Sequence, residues 1–241
     1  MLNDRSKEIR RKMIKNMLLH SATHFGGSLS CLEILINLYD KILTKDDIFI
    51  LSKGHCCWGL YELLKEKGLT PKESIEPDLD VSNGIYATSG SLGHGFPFGL
   101  GIALAKKIKN EKGKVYILMG DGECQEGTTW ESLLIANAKN ITNIIVIIDN
   151  NKIQGCDYTK NILPIDNLNN IVENCGWMCK IIDGHNNLEI YENLTITTNK
   201  PLCIIANTIK GKGISFMEND PIWHSKIISP ELEKKILFEI Q

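Results

Sequence analysis

Two short apolar runs in the middle of the chain, each closed by a polar signature, constrain the fold most. Val115-Tyr116-Ile117-Leu118-Met119 ends in Gly120-Asp121-Gly122, and Ile144-Ile145-Val146-Ile147-Ile148 ends shortly before Asn150-Asn151. Both runs are short, almost wholly apolar and rich in β-branched side chains, the pattern of strands buried on two faces. Between them Trp130, Leu133, Leu134, Asn137 and Ala138 recur at the spacing of a helix with one apolar face. The spacing predicts a strand–helix–strand unit with parallel strands, and ligands of open α/β sheets collect beyond the carboxyl ends of such strands. A carboxylate and a carboxamide are therefore expected where two neighbouring strands stop.

The alternation continues along the chain. Helices are expected near residues 4–20, 29–42, 56–67 and 93–109, and further strands at 47–52, 177–182 and 202–207. This is the α/β class, a mostly parallel sheet with helices on both faces. Residues 76–80 read as a loop, and 218–224 as a segment that stays mobile until ligand arrives. No repeat or low-complexity linker divides the 241 residues, so a single domain spanning 1–241 is expected.

Composition excludes some classes of function. Apolar content of 43% and charged content of 23% are ordinary for a soluble globular protein. A net charge of −2 supplies no basic field and argues against a nucleic-acid partner. No apolar run approaches the roughly twenty residues of a membrane span. The basic amino-terminal stretch includes Asp4 and Glu8 and places Ile9, Met13, Met17 and Leu18 on one helical face, as a docked helix does rather than a targeting peptide. The eight cysteines form no C-x-x-C pair; Cys56-Cys57 and Cys175 with Cys179 read as buried thiols, which implies a reducing, cytoplasmic location. Cys124 reads as a packing residue with some exposure to the site.

Asp121 and the side-chain oxygen of Asn151 are hard donors, suited to Mg²⁺, or to Ca²⁺ in its place, rather than to a soft metal. Mg²⁺ commonly takes one or two side chains plus phosphate oxygens. Glycines flanking Asp121 let backbone approach a diphosphate and offer it N–H groups. Alone, Gly-Asp-Gly is a turn and Asn-Asn a helix cap; on consecutive strands they read as a metal–diphosphate anchor. Of six histidines, His20 lies on the first helix with no functional role, and His185, after Asp183-Gly184, reads as a structural hydrogen-bonding residue. His24, His55, His94 and His224 sit in glycine-rich or irregular segments, where backbone is placed near ligand. His20 and His24 have i, i+4 spacing, but the glycines after His24 come too soon for a zinc helix. Lys210-Gly211-Lys212-Gly213 lacks the spacing of a Walker loop and reads equally as a solvated turn or a lid near a diphosphate.

Gly120-Asp121-Gly122-Glu123-Cys124-Gln125-Glu126-Gly127, followed by Asp149-Asn150-Asn151-Lys152-Ile153, resembles the thiamine diphosphate motif of transketolases. The likeness extends over nearly the whole chain. It takes in residues 23–30 with His24, Ser52-Lys53-Gly54-His55, Ser89-Gly90-Ser91-Leu92-Gly93-His94-Gly95, Thr208–Gly213 and Trp223-His224. Those matches, in the family order, most resemble the amino-terminal subunit of split transketolases. The resemblance implies that Asp121, Asn151 and the Ile153 carbonyl hold Mg²⁺, and that His55, Gly122 and His224 approach the diphosphate. Gly90 and Leu92 would contact the pyrimidine and thiazolium side, and His24 and His224 would line the substrate channel. His94, standing where single-chain transketolases carry glutamine, joins His24 and His224 as a candidate catalytic residue. Glu126 and Glu131 match acidic positions near the subunit interface, and Glu126 counts also with the cofactor-binding set.

The same resemblance implies transfer of a two-carbon ketol unit between small carbonyl substrates, a ketose donor and an aldehyde acceptor. In the family, the glutamate that protonates the aminopyrimidine comes from a second, pyrimidine-binding domain, which this chain is not expected to carry. A second subunit carrying that domain is therefore expected, in a homodimer or heterotetramer. The segment 75–88 is short and lacks the histidine-bearing stretch that helps hold sugars in larger members, so the substrates stay open. Two alternatives also stay open: another thiamine enzyme, of deoxyxylulose-phosphate-synthase or decarboxylating carboligase type, and a non-catalytic cofactor-binding subunit.

Overall fold

The computed structural model describes residues 2–155 and 157–240. The strands are β1 (Ile48–Leu51), β2 (Val115–Gly120), β3 (Ile144–Asn150), β4 (Ile153–Gln154), β5 (Asp157–Tyr158), β6 (Met178–Asp183) and β7 (Leu202–Asn207). Five of them form one sheet in the order β1-β2-β3-β7-β6, every neighbouring pair parallel. β4 and β5 pair antiparallel in a small ribbon immediately beyond β3. The alternation of side chains divides the core in two. Phe49, Leu51, Tyr116, Leu118, Ile145 and Ile147 face one side, while Ile50, Val115, Ile117, Met119, Ile144, Val146 and Ile148 face the other. Strands apolar on both faces need helices on both, which is why the runs show no polar alternation.

The helices are α1 (Asp4–Leu19), α2 (Phe25–Ser30), α3 (Leu32–Asn37), α4 (Trp58–Glu66), α5 (Gly95–Ile108), α6 (Gly127–Ala138), α7 (Thr159–Ile162), α8 (Leu168–Asn174), α9 (Asn187–Leu194) and α10 (Pro230–Glu239). Ile9, Phe25, Leu35, Leu63, Ile190 and Ile236 bring α1 to α4, α9 and α10 onto the first face. Phe96, Leu100, Leu133, Ala136 and Val172 bring α5, α6 and α8 onto the second. Each such fully buried aliphatic or phenyl group contributes about 1.5–3 kcal/mol relative to exposure. No helix among the described residues is long and apolar enough to cross a membrane.

The expected helix over 29–42 is two short helices and a π-type turn, Leu38–Ile42, with the break at Cys31 (φ −97°, ψ 5°). Its cause is local. Ser30 turns its hydroxyl back to the Gly27 carbonyl at 3.0 Å and on to the Asp149 carboxylate at 2.5 Å, and serine bonding of this kind competes with helix propagation. The helix expected from residue 93 starts at Gly95, where a Cβ would run into Ser52 at the end of β1. On α6 the expected apolar face is also revised: Thr129, Ser132, Leu133 and Ala136 are buried, whereas Leu134 and Ile135 are 58% and 47% exposed. Within residues 218–224, a 3₁₀ turn at Pro221–His224 buries Trp223 and directs its indole N–H to the Phe216 carbonyl, while Asn219, Asp220 and Ile222 are exposed.

Candidate functional site

Register brings the two signatures together. β2 and β3 pair so that Gly120 lies opposite Asp149, and β3 pairs with β7 so that Asp149 lies opposite Ala206. Asp121 follows directly, buried, and opens a 3₁₀ turn over Gly122–Gln125. Its Oδ1 accepts from Gly122 N at 2.8 Å; its Oδ2 accepts from Lys152 N at 2.7 Å and Thr159 Oγ1 at 3.2 Å. A carboxylate has about four lone-pair directions, so capacity for a cation remains. Burial, then the nearby Asp149 carboxylate, pushes the Asp121 carboxyl above its usual value; a bound divalent ion reverses that cost. Asn151 Oδ1 accepts from Ile153 N at 3.1 Å, and the Ile153 carbonyl accepts from Lys210 Nζ at 3.2 Å. Asp121, Asn151 and Ile153 line one cavity of about 240 Å³. Among the described residues no group of three or more His, Cys, Asp or Glu side chains is placed to hold a metal. A cation here would rest on one carboxylate, one carboxamide and one backbone carbonyl, a set that needs oxygens from a ligand to complete it.

Beneath this trio lies a buried charge network. Asp149, fully buried, accepts from Lys53 Nζ, from Ser30 Oγ, from Thr208 Oγ1 and, at 3.2 Å, from Asn151 Nδ2. The last contact fixes which way the Asn151 carboxamide points. Lys53 is thereby a paired cation. Lys210 is different: it is 2% exposed, and among the described residues its ammonium reaches only the Ile153 carbonyl and, at 3.3 Å, His224 Nδ1. Burial, then the charge of Lys53, pulls the Lys210 amine below its usual value. A buried ammonium without a carboxylate is expensive unless an anion arrives.

Three of the four histidines singled out from sequence meet here. His24 and His55 have ring centroids 5.2 Å apart, and His224 stands 5.5 Å from each. Burial, followed by neighbouring positive charge, lowers His24 and takes His224 down to about 3, so both rings are neutral donor–acceptors at neutral pH. His55, Leu92, Gly122 and His224 line the same cavity as the oxygen trio.

The structure does not bring the remaining candidates to that cavity. His94 is exposed at the start of α5, because its flanking glycines are pinned on either side: Gly93 against Glu126 and Thr128, Gly95 against Ser52. Glu126 packs on Gly93 rather than into the pocket, and Gly90 (φ 131°) lies under the carboxylate of Glu76. Cys124 is fully buried, without the exposure expected of it, since its thiol turns to the Gly120 carbonyl at 3.4 Å. Of the two readings of the Lys210 segment, the solvated turn is corrected for Lys210, whose buried side chain is drawn inward past Gly26 and lines the cavity. His20 bonds the Asn16 carbonyl at 3.1 Å, and His185 bridges Glu33 at 2.8 Å and Ile209 N at 2.9 Å, both structural.

Sequence reasoning assigned no role of their own to Lys53, Asp149, Glu123 and Gln154, and left Lys210 between two readings. Glu123 ties three segments together, accepting from Ser52 Oγ, from Gly93 N at 2.9 Å and from Gly120 N at 3.1 Å. Gln154 lines the cavity beside Gly122. A usable signal existed for Lys53 and Asp149, which are charges at the polar ends of otherwise apolar strands.

Residues 7–231 match the family described as transketolase, thiamine diphosphate binding domain. The chain is 37% identical to one subunit of the apulose-4-phosphate transketolase of Actinobacillus succinogenes, over 94% of this chain and 91% of that one. It is 33% identical to a 6-deoxy-6-sulfo-D-fructose transketolase subunit of a Clostridium species, over 100% of this chain and 96% of the other. Among solved structures, the transketolase of Campylobacter jejuni superposes with a TM-score of 0.84 at 26% identity, covering 98% of this chain and 42% of that longer one.

Proposed function

From the premise that this chain belongs to the transketolase family, through its thiamine diphosphate-binding domain, we propose that it is the cofactor-anchoring subunit of a split transketolase-type transferase. The observation that carries this reading is the convergence, on one cavity, of three hard oxygens with a buried ammonium that has no carboxylate partner among the described residues. Oxygen donors alone would suit a structural cation, and a lone lysine would suit many anions. Together they fit a divalent ion bridged to a diphosphate.

The residues fit thiamine diphosphate with Mg²⁺, or with Ca²⁺ in its place. Asp121, Asn151 and the Ile153 carbonyl would hold the metal; Lys210, Gly122 and His55 would hold the diphosphate end. When bound, thiamine diphosphate supplies a nucleophilic carbon that takes a two-carbon unit from a ketose and hands it to an aldehyde. The protein's part is to orient and to move protons. Neutral His24 and His224 are suited to accept or donate a proton at substrate hydroxyl or carbonyl oxygen, because neither is held in the charged form. The network around Asp149 keeps the Asn151 oxygen aimed without entering the reaction. Pyrimidine activation belongs to a second subunit carrying the pyrimidine-binding domain; the names of the relatives, each a transketolase subunit, support that division.

Calorimetric titration tests the anchor. The wild-type chain should take up thiamine diphosphate only when Mg²⁺ is present, and Asp121→Asn should weaken that uptake about a hundredfold while leaving the fold intact by circular dichroism. Metal-independent uptake, or uptake indifferent to Asp121→Asn, would sink the reading.

A further inference from the structure

The run Thr208–Lys212 carries Lys210 into the site, and it is gripped on both sides of that residue. Thr208 Oγ1 donates to Asp149, in the network beneath the metal-side oxygens. Ile209 N donates to His185 Nε2 at 2.9 Å, and Arg10 Nε donates to the Lys212 carbonyl at 3.1 Å. Gly211 N donates to the Gly26 carbonyl at 3.0 Å. His185 and Arg10 converge in turn on one carboxylate, that of Glu33, which is fully buried. Residues from α1, α3 and the turn before α9 therefore meet on this segment, although neither His185 nor Glu33 lines the cofactor cavity.

The protonation of this cluster follows from its contacts. Burial would raise the Glu33 carboxyl, but hydrogen bonds from His185 and then Arg10 outweigh it and hold the group down to about 2. An ionised Glu33 only accepts, so His185 Nδ1 carries the ring proton and Nε2 is left as an acceptor. That tautomer is the one the Ile209 amide requires. The ring thus turns a buried negative charge into a fixed acceptor one residue before Lys210. Lysine carries its charge on a flexible stem, so the ammonium is aimed only where the backbone beneath it is fixed. We propose that His185 is a positioning residue for the diphosphate end of the cofactor: by holding Ile209 N it sets the backbone from which the Lys210 ammonium reaches the cavity. The inference rests on the cofactor reading above and deepens it, adding a residue that acts through Lys210 without touching the ligand.

The test is calorimetric titration of the full chain, at saturating Mg²⁺, with thiamine diphosphate and separately with inorganic pyrophosphate. His185→Asn keeps a donor for Glu33 and gives up the acceptor for Ile209; His185→Gln puts an amide oxygen back within reach of Ile209 N. The asparagine variant should raise Kd about fivefold for both ligands, and the glutamine variant should return it to within about twofold of wild type. In a Lys210→Met background, His185→Asn should change Kd by less than about twofold, since the group it positions is gone. A merely structural histidine predicts otherwise: a lowered ligand-free thermal midpoint with unchanged Kd, or the same loss of affinity with and without Lys210. Either result overturns the assignment. Failure of His185→Gln to restore affinity would overturn it as well, because the acceptor would not be what matters. Wild-type chain that takes up neither ligand would instead defeat the underlying reading of the site.

Discussion

Lys210 is the clearest case of a residue whose folded environment makes sense only with a ligand. Replacing it by methionine removes a buried charge without a counter-anion, so the ligand-free protein should gain on the order of 1 kcal/mol, while affinity for thiamine diphosphate falls tenfold or more. Thermal denaturation and calorimetry on one variant read both signs, and a destabilised Lys210→Met would contradict the account. His224 gives a pH signature. Its ring is held down to about 3 against an ordinary 6.5, first by burial and then by Lys210. The unfolded chain takes up a proton below pH 6.5 that the folded ring refuses, so this contribution is complete above the unfolded value and is lost as pH falls. The slope is at most about 1.4 kcal/mol per pH unit and less for a half-buried ring. Urea midpoints of His224→Asn should therefore fall less steeply than wild type between about pH 6 and pH 4; parallel curves would show that the ring is not held neutral. Asp121, Asn151 and three histidines were legible because their types and spacing are unusual in a strand-end context. Lys210 was legible only as one of two alternatives, since a lysine opening a glycine-rich run looks solvated until α2 packs against it.

At the scale of elements, the five sheet strands were readable because each is a nearly unbroken apolar run, and their observed bounds lie within two residues of expectation. What sequence could not supply was the interruption of α2 and α3. The serine responsible finds its partner, Asp149, 119 residues away, and no local pattern reports a contact of that range. The short ribbon of β4 and β5 was unreadable for a related reason, two residues per strand being below any periodicity. α2 also meets the segment before α10 with no room to spare. A Cβ on Gly26 would lie 2.6 Å from the Trp223 carbonyl and 2.9 Å from Lys210 Cγ. Gly26→Ala should wedge these elements apart and destabilise the chain by about 1–3 kcal/mol, the usual range for overpacking. Chemical denaturation measures it; a neutral effect would mean that the closing segment yields without cost, and that Lys210 is not fixed by α2.

For the whole molecule, exposed large apolar groups occur on many elements, some of them at the cavity's rim or on α5 and α6. Leu92, at the cavity's rim, is 37% exposed; on the adjoining helices α5 and α6, Phe98, Leu134 and Ile135 are 48%, 58% and 47% exposed. Glu126 and Glu131, matched by resemblance to positions near a subunit interface, stand on that same helix or at its start. Under the proposed function, a second subunit supplying the pyrimidine side of the cofactor would approach where Leu92 opens and dock on this face. Ketol transfer is then expected only when the chain is mixed with a subunit carrying a pyrimidine-binding domain. Ile135→Glu should weaken that assembly at least tenfold, because a carboxylate would be desolvated at the contact. Cofactor uptake by calorimetry should be left near that of wild type, since Ile135 does not line the cavity. Sedimentation of the mixture separates the two effects. Full turnover by the isolated chain would remove the need for a partner, and unaltered assembly by Ile135→Glu would move the docking face elsewhere on the molecule.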